Sequence, residues 1–306
     1  MATSATAHGR GKLIIFGEHA VVYGHPAVAC GLPRGARATL TLDEGESWSI
    51  SHPGQTITVD DDVERAGRQL LARFDLKPEQ LRIDIELTIP VGAGLGSSAA
   101  MAVALARAAA DLCELEGKKR TQAITEAVGA SEAVFHGNAS GIDQRAATEG
   151  GFFAFRRGRK QPKVSALDVA PHRWLVAQVA PSASTSAMVE SVARLRRRRP
   201  QVMDAIFDDF AQIATAGKKA LEAGKWKDVG ELMNINQGLL NTIGVSTSAL
   251  ETACAAARDA GAFGAKITGA GGGGCIVALV DDTTASDVES TLDDHGDVFP
   301  FTLPAE

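Results

Sequence analysis

Glu132 and Asp143 stand eleven residues apart, the first late in a helical run and the second closing the loop His136-Gly-Asn-Ala-Ser-Gly-Ile-Asp143. Carboxylates so placed could hold a magnesium ion and accept a proton respectively, because magnesium usually takes one or two carboxylates plus phosphate oxygens. The same acids also suit a plain surface and a loop cap. Lys12 opens a hydrophobic strand that runs on into Gly17-Glu18-His19. A lysine at a strand edge is ordinarily solvated, and it is the two acids downstream that raise the case for chemistry at its ammonium. Ser97 and Ser98 follow glycines without forming a GxSxG elbow, so they do not read as nucleophiles. Their hydroxyls, at the start of a helix, suit a metal or phosphate, or simply an N-cap. None of the seven histidines forms a zinc-like pair, and Cys275 has no nearby soft partner.

The stretch that would position an anion is Pro90-Val-Gly-Ala-Gly-Leu-Gly-Ser-Ser-Ala-Ala100. Before it, Leu81, Ile83, Ile85, Leu87 and Ile89 alternate with Arg82, Asp84, Glu86 and Thr88, the period of a strand with one buried face. After it, Met101, Leu105, Ala108, Leu112 and Leu115 recur at helical spacing. Gly92, Gly94 and Gly96 allow positive φ and close backbone approach, while the helix start offers unpaired N–H groups to a phosphate. A tight connection would use the same residues. The loop lacks the lysine of GxxxxGK[ST] and the acidic ribose partner of a dinucleotide site, so any lysine must come from elsewhere.

A chain of 306 residues with 45% hydrophobic and 22% charged content has room for two domains and a sizeable core. A net charge of −6 argues against general nucleic-acid binding, and Arg194 with the run Arg196 to Arg199 reads as a solvated helix end. Leu87 to Ala106 carries no charge, yet its proline, glycines and paired serines argue against a membrane span. The polar start lacks the apolar segment of a secretory signal, and Cys30, Cys113, Cys254 and Cys275 show no disulfide framework, so reduced thiols and a cytoplasmic location are expected.

Strands are expected near Leu13–Phe16, Ala38–Leu42, Gly151–Phe155, Trp174–Val179 and Ile276–Val280, and helices near Val63–Phe74, Thr121–Phe135, Met188–Gly224, Val229–Leu240 and Ser248–Ala260. Arg156 to Lys163, with Gly158 and Pro162, makes a hairpin or a domain seam. A second glycine cluster, Thr268-Gly-Ala-Gly-Gly-Gly-Gly-Cys275, precedes the last of these strands. Strands and helices mix without a regular βαβ rhythm.

Three separated motifs, GKLIIFGEHAVVYG from Gly11, PVGAGLGSSAA from Pro90 and KITGAGGGGC from Lys266, together resemble those of the GHMP kinases, a superfamily whose members phosphorylate galactose, homoserine, mevalonate or phosphomevalonate. GEHAVVYG, HGNASGID from His136 and MNINQGLLNTIGVS from Met233 are most similar to the versions in the branch that acts on mevalonate. The resemblance implies a two-domain α+β fold with its active site in the interdomain cleft, an ATP-binding domain over residues 1–168 and a second domain over 169–306. It implies ATP and Mg2+ as cofactors and γ-phosphoryl transfer to the 5-hydroxyl of mevalonate in isoprenoid biosynthesis. No nucleic-acid or membrane partner is expected, and a homodimer is compatible.

Carried over by motif, Asp143 is similar to the family's catalytic base, with Lys12 beside it, and Ser98 and Glu132 to its magnesium ligands. Pro90, Gly92, Ala93, Gly94, Leu95, Gly96, Ser97 and Ser98 would wrap the nucleotide. Glu18, His19, Thr185, Gly271 and Gly272 resemble substrate-side residues, and Gly269 to Gly274 would brace the phosphate loop. Two departures stand out: Gly9-Arg10-Gly11 where Ala-Pro-Gly is common, and Ala139 where proline is common. The rivals are a neighbouring GHMP kinase for phosphomevalonate or homoserine, and a catalytically silent metabolite sensor. Glu18-His19-Ala20-Val21-Val22 argues against the galactose and phosphomevalonate branches, and the presence of all four charged or hydroxyl site groups argues against the sensor.

Overall fold

The computed structural model describes residues 3–53, 55–135, 141–158 and 161–304. In chain order the first elements are β1 (Ser4–Phe16), β2 (Pro26–Leu42), β3 (Ser47–His52), β4 (Gln55–Ile57), α1 (Asp61–Leu71), β5 (Leu81–Leu87), α2 (Ser97–Leu112), α3 (Gly117–Phe135), α4 (Ile142–Glu149), β6 (Phe152–Arg156) and β7 (Lys163–Leu167). They are followed by β8 (His172–Ala180), α5 (Thr185–Arg198), α6 (Pro200–Glu222), α7 (Trp226–Thr242), α8 (Ser248–Asp259), β9 (Gly264–Ile267), β10 (Gly274–Val280), α9 (Ala285–Asp293) and β11 (Asp297–Leu303). The chain forms two compact units that interleave in sequence. One comprises Met1–Gly11, Pro33–Val91 and Gly96–Glu149; the other comprises Lys12–Leu32, Gly92–Leu95 and Gly150–Glu306. β1 and β2 therefore each contribute to both.

In the first unit the later half of β2 pairs antiparallel with β5, from Ala36 opposite Leu87 to Leu42 opposite Leu81. β3 joins β5 in parallel and β4 pairs back on β3. Alternation along β5 buries Leu81, Ile83, Ile85 and Leu87 while Arg82 and Glu86 stay exposed, as the two-residue period requires. The strand ends at Leu87, short of the expected Ile89; at the next position Gly35 O still accepts the Thr88 N–H, but the Gly35 N–H bonds the Thr88 hydroxyl.

Helix α2 is apolar nearly all round, and its alanines 99, 100, 102, 104, 106, 108, 109 and 110 are buried. Such small side chains let neighbouring backbone come close. A Cβ on Gly9 would sit 2.1 Å from Ala100 O, so the departure at Gly9-Arg10-Gly11 is a packing solution in which β1 lies against the first turns of α2. The same feature extends β1 far upstream of Leu13, since Ala7, Gly9 and Gly11 point inward where an apolar-residue count sees only a polar tail.

In the second unit β11, β8, β10 and β9 form an antiparallel sheet in that order. β10 is buried along its whole length, which is why it reads as an unbroken hydrophobic run. Helices α6, α7 and α8 contribute Phe207, Phe210, Leu240 and Leu250 to a core with Leu175, Ile276 and Ala278 of the sheet. Each fully buried side chain of this size contributes about 1.5–3 kcal/mol of transfer free energy. The expected hairpin is present, with β6 and β7 paired from Phe152 opposite Leu167 to Arg156 opposite Lys163. Cys30, Cys254 and Cys275 are buried thiols and Cys113 is half-buried. No described helix is long and apolar enough to cross a membrane.

Candidate active site

In the first unit, Gly96 adopts a left-handed φ of 75° and serves as the N-cap of α2 without a side-chain hydrogen bond to the helix start. The first N–H groups of α2 thus keep no side-chain cap, the arrangement that suits an anion. Ser98, in the first turn, hydrogen-bonds to Glu132 of α3. Glu132 is buried, and its Oε1 has no hydrogen-bond partner among the described residues. Burial chiefly, and the charge of Asp143 next, push its carboxyl up to about 7, against the opposing effect of the Ser98 hydrogen bond. Asp143 lies in the first turn of α4. Ser98, Glu132 and Asp143 are therefore one neighbourhood, built by three helices. Residues 136–140 of the HGNASGID loop, Ala139 among them, fall outside the described part of the chain.

In the second unit, Gly92 and Gly94 take φ of 68° and 83°, as the sequence requires of a loop that must reverse sharply. Leu95 O accepts the backbone N–H of Lys12 at 2.8 Å, which ties the end of the glycine loop to β1, and the Lys12 side chain is buried. Gly94 lies against the other glycine cluster: a Cβ there would come within 3.1 Å of Thr268 O. A Cβ on Gly269 would come within 3.1 Å of Gly94 Cα. Backbone meets backbone at this contact. Gly272 has a φ of 72°, and a side chain there would strike Met188 Sδ at 2.7 Å and Ala183 Cβ at 2.8 Å. Its carbonyl accepts the Ala183 N–H at 3.2 Å, and its own N–H bonds Val245 O at 2.8 Å. Gly272 thus adjoins the segment that leads into α5, where Ser184 caps the helix and exposed Thr185 is the first helical residue, while Gly271 packs on Val245, where a Cβ would come within 2.3 Å of the carbonyl oxygen.

Glu18 and His19 occupy a turn just beyond β1. Glu18 is almost wholly buried; one carboxylate oxygen pairs with the Lys266 ammonium, and the other accepts a hydrogen bond from Asn236 Nδ2 at 3.2 Å. His19 bonds Ala270 O through Nε2 at 2.9 Å, and burial holds its imidazole below the usual range. A carbonyl only accepts, so Nε2 carries the proton. Lys266, Asn236 and Gln237 were not among the residues singled out from the sequence. Asn234 and Gln237 accept the N–H groups of Ala265 and Ile267 at 3.1 and 2.9 Å, capping the free edge of β9, and Asn236 lies between them. The legible signal was Asn-x-Asn-Gln in an otherwise helical segment, polar residues too closely set for a solvated face alone.

A glycine loop leading into a helix, a buried serine–glutamate pair, and a second glycine loop packed on the first are features of the GHMP kinase class. The GHMP kinases N terminal domain matches residues 62–151, and the GHMP kinases C terminal domain matches residues 218–298. Curated mevalonate kinases of Methanothermobacter thermautotrophicus and Archaeoglobus fulgidus are each 37% identical, the first covering 91% of this chain and 90% of its own, the second 89% and 91%. The chain belongs to the mevalonate kinase family. The crystal structure of L. major mevalonate kinase in complex with R-mevalonate superposes with a TM-score of 0.87 at 26% identity, covering 97% of this chain and 95% of that one.

Proposed function

We propose that this protein transfers the γ-phosphoryl group of ATP to the 5-hydroxyl of mevalonate, as a cytoplasmic enzyme of isoprenoid biosynthesis. The observation that carries the reading is the buried Glu132 oxygen left without a partner beside Ser98, at the start of the helix that follows the glycine loop. A bare carboxylate in a dry site, with a hydroxyl and a second acid near it, fits a hard cation with oxygen ligands. Ser98 and Glu132 would hold magnesium there, and the ion would neutralise charge on the phosphates.

The chain's own residues do the remaining work. Gly92 to Ser97 would present backbone N–H groups to the triphosphate, with Pro90 setting the entry to the loop and Ala93 and Leu95 filling its inner side. Asp143 would take the hydroxyl proton as the alcohol oxygen attacks, and Lys12 would stabilise the negative charge growing on that oxygen. Phosphoryl transfer rewards positioning and charge neutralisation more than covalent help, which suits so few catalytic groups. Glu18, His19, Thr185, Gly271 and Gly272 would form the alcohol side of the site. In sequence terms we propose that residues 1–168 make the ATP-binding module and 169–306 its partner module.

The test is ADP release with mevalonate, phosphomevalonate, homoserine and galactose in parallel, with products identified by mass spectrometry. Mevalonate 5-phosphate as the dominant product is expected. Preference for another alcohol, or ADP release with no phosphorylated product, overturns the reading.

A further inference from the structure

We infer that Lys266 is a positioning residue for the alcohol side of the site: its buried ammonium anchors Glu18, and through Glu18 it holds the turn that presents His19. The inference rests on the proposed function in taking His19 as substrate-side; the coupling of Lys266 to His19 rests on geometry alone.

Lys266 is fully buried on β9, and its ammonium reaches three acceptors: the Glu18 carboxylate, Ile267 O, and Ile14 O at 3.4 Å. Three protons meet three acceptors, so the charge is satisfied without water. Stability gives no reason for such a pair, because a buried ion pair typically contributes no more than a well-packed apolar pair of the same volume. Geometry supplies one. Glu18 sits between two residues of positive φ, Gly17 at 90° and His19 at 58°. Gly17 tolerates that conformation, and a Cβ there would meet Pro26 O at 2.5 Å. His19 does not tolerate it freely; a non-glycine residue in this region is strained and persists only where its surroundings hold it.

Two tethers hold it. The His19 ring is bound to Ala270 O, in the glycine cluster that begins two residues after Lys266. The Glu18 side chain is bound to Lys266 and to Asn236, whose other polar atom, Oδ1, is buried with no partner among the described residues. The peptide between Glu18 and His19 is thus clamped from both sides by one short segment, residues 266–270. One Glu18 oxygen is taken by Lys266 of this clamp and the other by Asn236 of α7, so Glu18 acts on the alcohol through His19.

The experiment compares wild type, Lys266→Met, and Lys266→Met/Glu18→Met, the last removing both buried charges. Steady-state KM for R-mevalonate and for ATP is measured alongside thermal unfolding and the ¹⁵N–¹H NMR signature of the His19 tautomer. In Lys266→Met we expect the mevalonate KM to rise by about tenfold or more with the ATP KM unmoved, and His19 to lose its single Nε2–H form. The double variant is expected to regain thermal stability without regaining the mevalonate KM or the tautomer, which a merely structural role would restore. Wild-type KM and tautomer in either variant overturn the inference. If Lys266→Met does not fold, the double variant decides. If wild type fails to phosphorylate mevalonate, the proposed function falls, and the His19 signal, read without substrate, still decides whether Lys266 positions it.

Discussion

Ser98 of α2 hydrogen-bonds to Glu132 of α3, and the carboxylate keeps one buried oxygen without a partner among the described residues. The protein alone is worse off for this. With its pKa raised from 4.5 to about 7, Glu132 binds its proton more tightly folded than unfolded. Stability falls as pH rises from about 4.5 to about 7 and stays reduced above that, by an amount on the order of 3 kcal/mol. Glu132→Gln should therefore raise the melting temperature of the ligand-free protein at pH 8 and do so much less at pH 5. On the proposed magnesium site, wild type should gain stability from magnesium with ATP, and the same variant should lose that gain. Calorimetry at the two pH values, with and without magnesium and ATP, checks both halves.

Asp143→Asn keeps the side chain's shape and removes its capacity to take a proton. Turnover should drop by about 10²–10⁴-fold while ATP binding is retained. Stopped-flow or coupled-assay rates beside a titration with a fluorescent ATP analogue test this, and near-normal turnover removes Asp143 from the mechanism. The carboxamide also relieves the negative charge that helps raise the Glu132 carboxyl, so the pH dependence of stability should shift to lower pH.

Gly94→Ala places a methyl group at a φ of 83° and 3.1 Å from Thr268 O. A cost of roughly 1–2 kcal/mol in stability is expected from the backbone conformation alone, and a raised KM for ATP from displacement of the loop. Gly92→Ala meets nothing within 4 Å and carries only the conformational cost at φ 68°, so it should be the milder of the two. Denaturant unfolding and ATP saturation curves for the pair provide the comparison.

His19 gives a pH dependence of opposite sign to that of Glu132. Burial lowers its pKa below the ordinary imidazole value of about 6.5, so below that pH the unfolded chain takes up a proton that the folded ring resists. Stability from this source is present above pH 6.5 and is lost as pH falls through the folded pKa. His19→Gln should flatten the acid side of the stability profile. A profile unchanged by that substitution would mean that the ring is not held neutral in the fold.

Much of this was legible in the residues. β5 announces itself by strict alternation and α2 by its apolar spacing, since both signals are local and survive without tertiary context. The positive φ of Gly92, Gly94 and Gly96 follows from the lack of a Cβ where the chain must turn before the helix. β9, β11 and α4 were not foreseen, because Gly264–Ile267 is four residues long, β11 contains Pro300, and α4 is only eight residues long. Short elements take their conformation from neighbours. β9 exists because β10 pairs along one side and Asn234 and Gln237 cap the other.

By itself the sequence determined the class of chemistry, because motifs of glycine, serine, acid and lysine keep their spacing wherever the chain goes. It also determined the strand–loop–helix unit around Pro90 to Ala100. Only the tertiary structure decided which polar groups face one another: that Glu132 keeps an oxygen bare, that Glu18 turns inward to Lys266 across 248 residues of chain, and that Gly94 lies on Thr268. The reason is physical. A spacing fixes what a segment can do along its own axis, whereas burial, pKa and hydrogen-bond partnership belong to surroundings assembled from distant segments.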